Sequence, residues 1–246
     1  MDWDAPAIVL EARPYGEGDA LASVFTEAHG VHRGLARGGG ARGRTSLWQP
    51  GNLAHVRWVA RLADQLGSFT AELVHPAAAL AMDDPLALAT LSGACAVAVG
   101  ALPERVAHPR VFQGLLRLIA GLSRGTPMIA DLVRWEAAML ADLGYGLDLA
   151  ACAVTGATES LTHVSPRSGR AVSEAGVGAW RERLLVLPGF LLDAGDEGCP
   201  ADWAAGLRLT GHFLARDAFG LHHKPLPPAR GMLYDRVAAL ETPNAG

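Results

Sequence analysis

The chain has 246 residues, half of them hydrophobic, with 21 basic and 25 acidic side chains and a mean hydropathy of +0.19. That length allows one large or two modest domains, and the apolar content excludes wholesale disorder. Three scattered cysteines (Cys95, Cys152, Cys199) imply no disulfide framework and fit a reducing, cytoplasmic setting. The opening Met1-Asp2-Trp3-Asp4 is acidic and lacks the positive start of a signal peptide.

Residues 6–13 read as a first strand, and the turn Pro14 to Asp19 leads to a second over 21–26. Ala28-His29-Gly30 turns the chain into a third strand, 31–36, in which Arg33 shares parity with Val31 and Leu35, so alternation does not assign its face. A fourth strand is expected over 53–62. There Val56, Trp58 and Ala60 fall on one side and His55, Arg57 and Arg61 on the other, so Trp58 is expected in the core and the arginines outside. A fifth strand covers 66–74. Five short strands joined by one long loop predict a small closed barrel of the oligonucleotide-binding (OB) type over residues 1–76.

The stretch from Ala28 to Ala63 concentrates charge. It holds six arginines (Arg33, Arg37, Arg42, Arg44, Arg57, Arg61) and no acidic residue, in a chain whose net charge is −4. Between Arg37 and Arg44 the sequence is too glycine-rich for a helix or regular strand and reads as a loop carrying three guanidinium groups. A run of charge can be no more than a solvated face. Here the flanking strands also carry arginine, and Trp48 and Trp58 are interleaved, a combination suited to a phosphate backbone. Arg33, Arg37, Arg42, Arg44, Arg57 and Arg61 are the candidate phosphate contacts. Trp48 is either a platform for a base or a core residue.

From Ala77 to the end the period turns helical, giving an α+β chain with a helical domain over 77–246. Leu86 to Leu102 carries no charge, but its small residues suit a buried helix better than a membrane span. Val111, Leu115, Leu118, Ile119 and Leu122 mark one amphipathic helix. Ile129, Leu132, Val133, Ala137 and Leu140 mark the next, with Thr126 as its expected N-cap, Pro127 at its first position and Gly144 at its end. Residues 147–178 lose this period and read as an irregular insert. Helices resume over 201–219 and 228–240, separated by Leu221-His222-His223-Lys224-Pro225.

Little in the chain suggests catalysis. Gly121-Leu122-Ser123-Arg124-Gly125 has the spacing of a nucleophile elbow, yet a helix precedes it where the motif needs a strand. Gly16-Glu17-Gly18 lacks the third glycine of a dinucleotide fingerprint, and the nine histidines form no H-E-x-x-H or similar ligand spacing. A zinc ribbon uses two C-x-x-C pairs; counted from Cys152, the other three slots fall on Thr155, Ser173 and Gly176. With Cys152 and His163 the only sulfur or imidazole donors in the insert, no structural metal is expected. The insert must then be held by packing, with Leu161, Val164, Val172 and Trp180 as anchors.

These features together resemble the RecO family of bacterial recombination mediators. The resemblance rests on Tyr15-Gly16-Glu17 with Asp19, His29-Gly30, Ala36-Arg37-Gly38, and Leu47 with Gln49-Pro50. It continues through Leu143-Gly144-Tyr145, Leu147-Asp148, Cys152-Ala153-Val154-Thr155-Gly156, Ser165-Pro166-Arg167 and Gly169. It implies an OB barrel, a helical domain, no catalytic turnover and no cofactor. It also implies binding and annealing of single- and double-stranded DNA, and work with RecR in loading RecA onto DNA coated by single-strand binding protein. That protein's acidic, hydrophobic-ended tail calls for an apolar groove with arginine at its lip, and Arg110, Arg117 and Arg124 are the candidates. Two other readings remain at this point: an RNA-binding barrel, since phosphate chemistry is shared, and a serine hydrolase built on Ser123.

Overall fold

The computed structural model describes residues 1–41, 45–62, 65–122 and 128–241. The chain forms two compact units, Met1–Pro127 and Met128–Gly246. The first begins with five strands: β1 (Asp2–Tyr15), β2 (Asp19–Thr26), β3 (Gly30–Ala36), β4 (Leu53–Val59) and β5 (Ser68–His75). They close into a barrel in the order β1-β2-β3-β5-β4. Closure depends on β1, which is 14 residues long and pairs along both edges. Its second half lies against β2 (Ala7↔Thr26 to Tyr15↔Asp19) and its first against β4 (Asp2↔Val59 to Ile8↔Leu53). A register shift between Val9 and Glu11 bends the strand from one neighbour toward the other. The remaining seam is short: β3 and β5 run parallel and meet only at Leu35↔Ser68 and Ala36↔Phe69.

The barrel interior alternates small and large. Ala7, Ala20, Ala22, Ala36 and Ala54 leave the space that Trp48, Trp58 and Phe69 fill, with Val9, Val24 and Val56 between them. The alternation expected in β4 holds, with Val56 and Trp58 buried and His55 and Arg57 exposed. It ends at Val59, three residues short of the expected end, and β5 begins at Ser68. Gly34 is required in β3, because a Cβ there would lie 2.7 Å from the Phe69 ring.

Three helices complete this unit: α1 (Ala77–Leu80), α2 (Pro85–Ala101) and α3 (Pro109–Leu122). Asp84 caps α2, accepting from the Leu86 and Ala87 amides at 2.8 and 3.1 Å, with Pro85 at the first position. Helix α2 is the uncharged segment. It lies against β1, with Cys95 Sγ 3.8 Å from the Val9 carbonyl, and burial pushes that thiol up to about 12. Among the described residues no helix is long and apolar enough to cross a membrane.

The second unit opens with α4 (Ile129–Asp142). Its N-cap is Met128; the expected cap Thr126 and the first-turn Pro127 lie outside the described residues. Gly144, at φ +90°, ends it as expected: the Tyr145 amide donates to Leu140 and the Gly144 amide to Ala141, a Schellman closure. The insert is more regular than its composition suggests. It contains β6 (Leu161–Val164) between β7 (Ala171–Ser173) and β8 (Leu185–Val186), so the sheet runs past residue 178. Strands of two to four residues are too short to show a period. Of the four expected anchors, Leu161, Val164 and Val172 are buried. Trp180 is not: it is 60% exposed and stacks under the Arg183 guanidinium at 5.3 Å. A short helix α5 (Glu174–Val177) follows β7, then α6 (Pro200–Phe213), prolonged by a π-helical turn to Phe219, and α7 (Pro228–Ala238).

A buried ion pair joins α4, α6 and α7. Arg230 Nε and Nη2 donate to the Glu136 carboxylate at 2.5 and 2.9 Å, and Nη2 also to the Leu207 carbonyl at 2.8 Å. Thr210 donates to the same carboxylate at 2.5 Å, and all three side chains are at most 1% exposed. Removing one partner strands a buried charge, which costs about 3–5 kcal/mol, whereas replacing both by apolar groups of similar volume costs far less. Glu136→Ala should therefore lower the urea midpoint of this unit strongly, and Glu136→Leu with Arg230→Met should restore most of the loss.

Candidate nucleic-acid interface

The basic loop is built outward from its anchors. Asn52, 1% exposed, donates through Nδ2 to the Ser46 and Leu47 carbonyls at 2.7 and 3.2 Å and accepts from the Ala78 amide at 3.1 Å. Its own carbonyl accepts from Val9 at 2.9 Å, and Gly51 donates to the Val9 carbonyl at 2.7 Å. At the other end, Asp19 Oδ1 accepts from the Gly38 amide at 2.7 Å, and the Gly40 amide donates to the Gly18 carbonyl at 3.0 Å. The tip of the β1–β2 hairpin thus carries the start of the loop. Trp48 takes the core alternative: it is 6% exposed and its ring lies 6.1 Å from that of Phe69.

The arginines divide into two kinds. Those on strands are paired. Arg33 points outward and meets Glu104 at 3.0 Å, and Arg57 meets Asp2 at 3.2 Å across the β1–β4 ladder. His55 pairs in the same way with Asp4. The acid-free segment therefore finds its acids elsewhere in the chain, Asp2 and Asp4 on β1 and Glu104 between α2 and α3. Arg37 and Arg61 are exposed and have no ion-pair partner among the described residues. They follow strands whose last turns flank one residue of β5, since Ala36 and Trp58 both pair with Phe69. Arg42 and Arg44 lie outside the described residues, as do Ser123 and Arg124. Behind Trp58 an aromatic group closes the barrel end, with His32 5.1 Å from Trp58 and Trp3 stacked on His29 at 4.7 Å. Burial pushes the His32 imidazole below its ordinary value.

Residues 1–77 match the family description "Recombination protein O N terminal" and residues 82–227 match "Recombination protein O C terminal". A DNA repair protein RecO of Granulibacter bethesdensis is 60% identical, covering 98% of this chain and 97% of its own. One of Gluconacetobacter diazotrophicus is 57% identical with the same coverage, and one of Rhodospirillum centenum 45%. The chain belongs to the RecO family.

In RecO terms, two further places matter. On α3, Arg110 and Arg117 are exposed. An apolar groove of about 410 Å³ runs beside that helix, lined by Pro6, Ala28, Val74, Phe112, Gln113 and Leu116. Neither arginine is among its lining residues.

The second place is the set of four positions picked out by the zinc-ribbon spacing, Cys152, Thr155, Ser173 and Gly176. The fold does bring them together. Thr155 Oγ1 and Ser173 Oγ are 3.2 Å apart, and a Cβ on Gly176 would lie 3.0 Å from Cys152 Sγ. The Val154 and Thr155 amides donate to Cys152 Sγ at 3.4 Å each, the backbone turn of a knuckle. Burial pushes the Cys152 thiol up, but hydrogen bonds from Ser173 and Thr155 outweigh it and bring the pKa to about 6. One thiol and two hydroxyls do not fit a closed zinc site, and among the described residues no three His, Cys, Asp or Glu side chains gather to hold a metal. Elemental analysis of protein purified without chelator should find far less than one zinc per chain. Stoichiometric zinc, lost together with stability in Cys152→Ser, would contradict this.

Proposed function

We propose that this chain is a non-enzymatic recombination mediator of DNA repair. It binds single- and double-stranded DNA, anneals complementary strands, and with RecR assists the loading of RecA in the cytoplasm. The observation that carries the reading is a closed barrel holding an acid-free arginine loop, pinned at both ends, with Arg37 exposed at its start and without an ion-pair partner among the described residues. Arg37, Arg42, Arg44 and Arg61 supply the main phosphate contacts, while Arg33 and Arg57 must exchange a carboxylate partner for phosphate. Arginine suits the task because its planar fork grips two phosphate oxygens at once. The names borne by the RecO relatives, DNA repair proteins, agree with this role.

The tail of single-strand binding protein is proposed to dock on the α3 face, its apolar end in the groove beside Phe112 and Leu116 and its acidic part toward Arg110, Arg117 and Arg124. RNA binding is the second reading, favoured by the same phosphate-directed chemistry. The two are separated by titrating single-stranded DNA, duplex DNA and RNA of equal length.

The triple replacement of Arg37, Arg42 and Arg44 by glutamate should abolish DNA binding and leave the thermal melt nearly unchanged. Unimpaired binding by the folded variant would remove the site from the loop.

A further inference from the structure

Between the tip of the β1–β2 hairpin and the loop that follows β3 lies an open pocket of about 450 Å³. Its walls are largely backbone and apolar surface. Gly18 and Gly40 form one side, and Pro14, Pro50 and the buried Trp48 contribute to the rest. The glycine at position 40 is needed for the wall, because a Cβ there would stand 2.8 Å from the Asp19 carbonyl. The hydrogen bonds from Gly38 to Asp19 and from Gly40 to Gly18 fix the two sides against each other.

The charge of the pocket decides what it takes. Arg13 lines it but is ion-paired to Glu11 at 2.9 Å, and the Asp19 carboxylate lines it too. Among the described residues, a phosphate entering here would meet a carboxylate and no surplus positive charge, so it is disfavoured. A flat, neutral group bearing N–H donors and carbonyl acceptors is suited. Asp19 can accept from it, and the Gln49 side-chain amide, which has no hydrogen-bond partner among the described residues, can both donate and accept. Thr45 stands exposed at the same pocket. Apolar walls with a few convergent polar groups, in a volume that admits a base and excludes a duplex, have the character of a nucleobase site.

We infer that this pocket receives one unpaired base of single-stranded DNA, while Arg37 and its neighbours hold the adjacent phosphates. The inference rests on the proposed DNA binding and adds that bases, and not phosphates alone, are read. In a duplex the bases are stacked and paired, so the pocket favours single strands without a demand for sequence.

The test uses the full chain and two oligodeoxynucleotides of equal length and phosphate number, one ordinary and one abasic throughout. The wild type should bind the ordinary strand about tenfold more tightly, the size of one or two net hydrogen bonds to the base. Gln49→Ala, which removes the amide, and Thr45→Leu, which fills the mouth without changing charge, should each lower binding of the ordinary strand toward the abasic level. Binding of the abasic strand should stay as it was, and thermal melts confirm folding. Equal wild-type affinity for the two strands, or a base preference unchanged in both variants, would overturn the inference and leave DNA binding standing. Binding of neither strand would overturn the DNA-binding reading and this inference with it.

Discussion

The buried amide of Asn52 is the contact on which the basic loop depends. A stretch composed of glycine and arginine brings little apolar surface to bury, so little in its composition offsets the entropy of ordering a backbone. Its order has to come from its ends. Asn52 supplies that order at one end by satisfying two loop carbonyls and the Ala78 amide of α1 at once, with its backbone held to β1. Asp19 supplies it at the other. A hydrogen-bonding side chain left unpaired in such a place costs about 1–3 kcal/mol, so the anchor is specific to an amide of this length. Trp48 adds the apolar part of the same anchorage by entering the barrel core.

Charge is arranged along the same lines. Arginines on the rigid strands sit opposite carboxylates, Arg57 with Asp2 and Arg33 with Glu104, each at least two-fifths exposed. Such pairs contribute little to stability in water and can be opened by a competing phosphate at small cost. Arg37, exposed and without an ion-pair partner among the described residues, lies where the backbone leaves the barrel. In the proposed reading, an acidic protein thereby gathers positive charge locally without a net positive charge, which would limit indiscriminate attraction while leaving a local field to guide a strand in.

Much of this was legible in the sequence because it follows from short-range patterns. Alternation in β4 separates Trp58 from Arg57, the helical period marks α3 and α4, and Gly144 marks the end of α4. What was not legible depends on register and on partners far along the chain. No local signal says that Asp2 and Asp4 will stand across from Arg57 and His55, since that requires β1 to pair with β4 in one particular alignment. The same holds for Arg33, whose outward face is set by its place beside Ser23 and by Glu104. Trp48 sits in a loop without periodicity, so only the closed barrel decides that its ring goes inside. Trp180 misled for the opposite reason: a large aromatic ring in a loose segment suggests an anchor, yet Arg183 covers one face and leaves the side chain outside. Asn52 gave no signal at all, being one more polar residue next to a Pro-Gly turn.

The measurement that bears most directly on this account is the salt dependence of single-stranded DNA binding. If about four to six phosphates are neutralised, log K should fall with log salt at a slope of about −3 to −4, a loss of roughly three to four orders of magnitude for a tenfold rise in salt. A slope near zero would contradict the claim that the arginine loop and its barrel form a phosphate-binding surface.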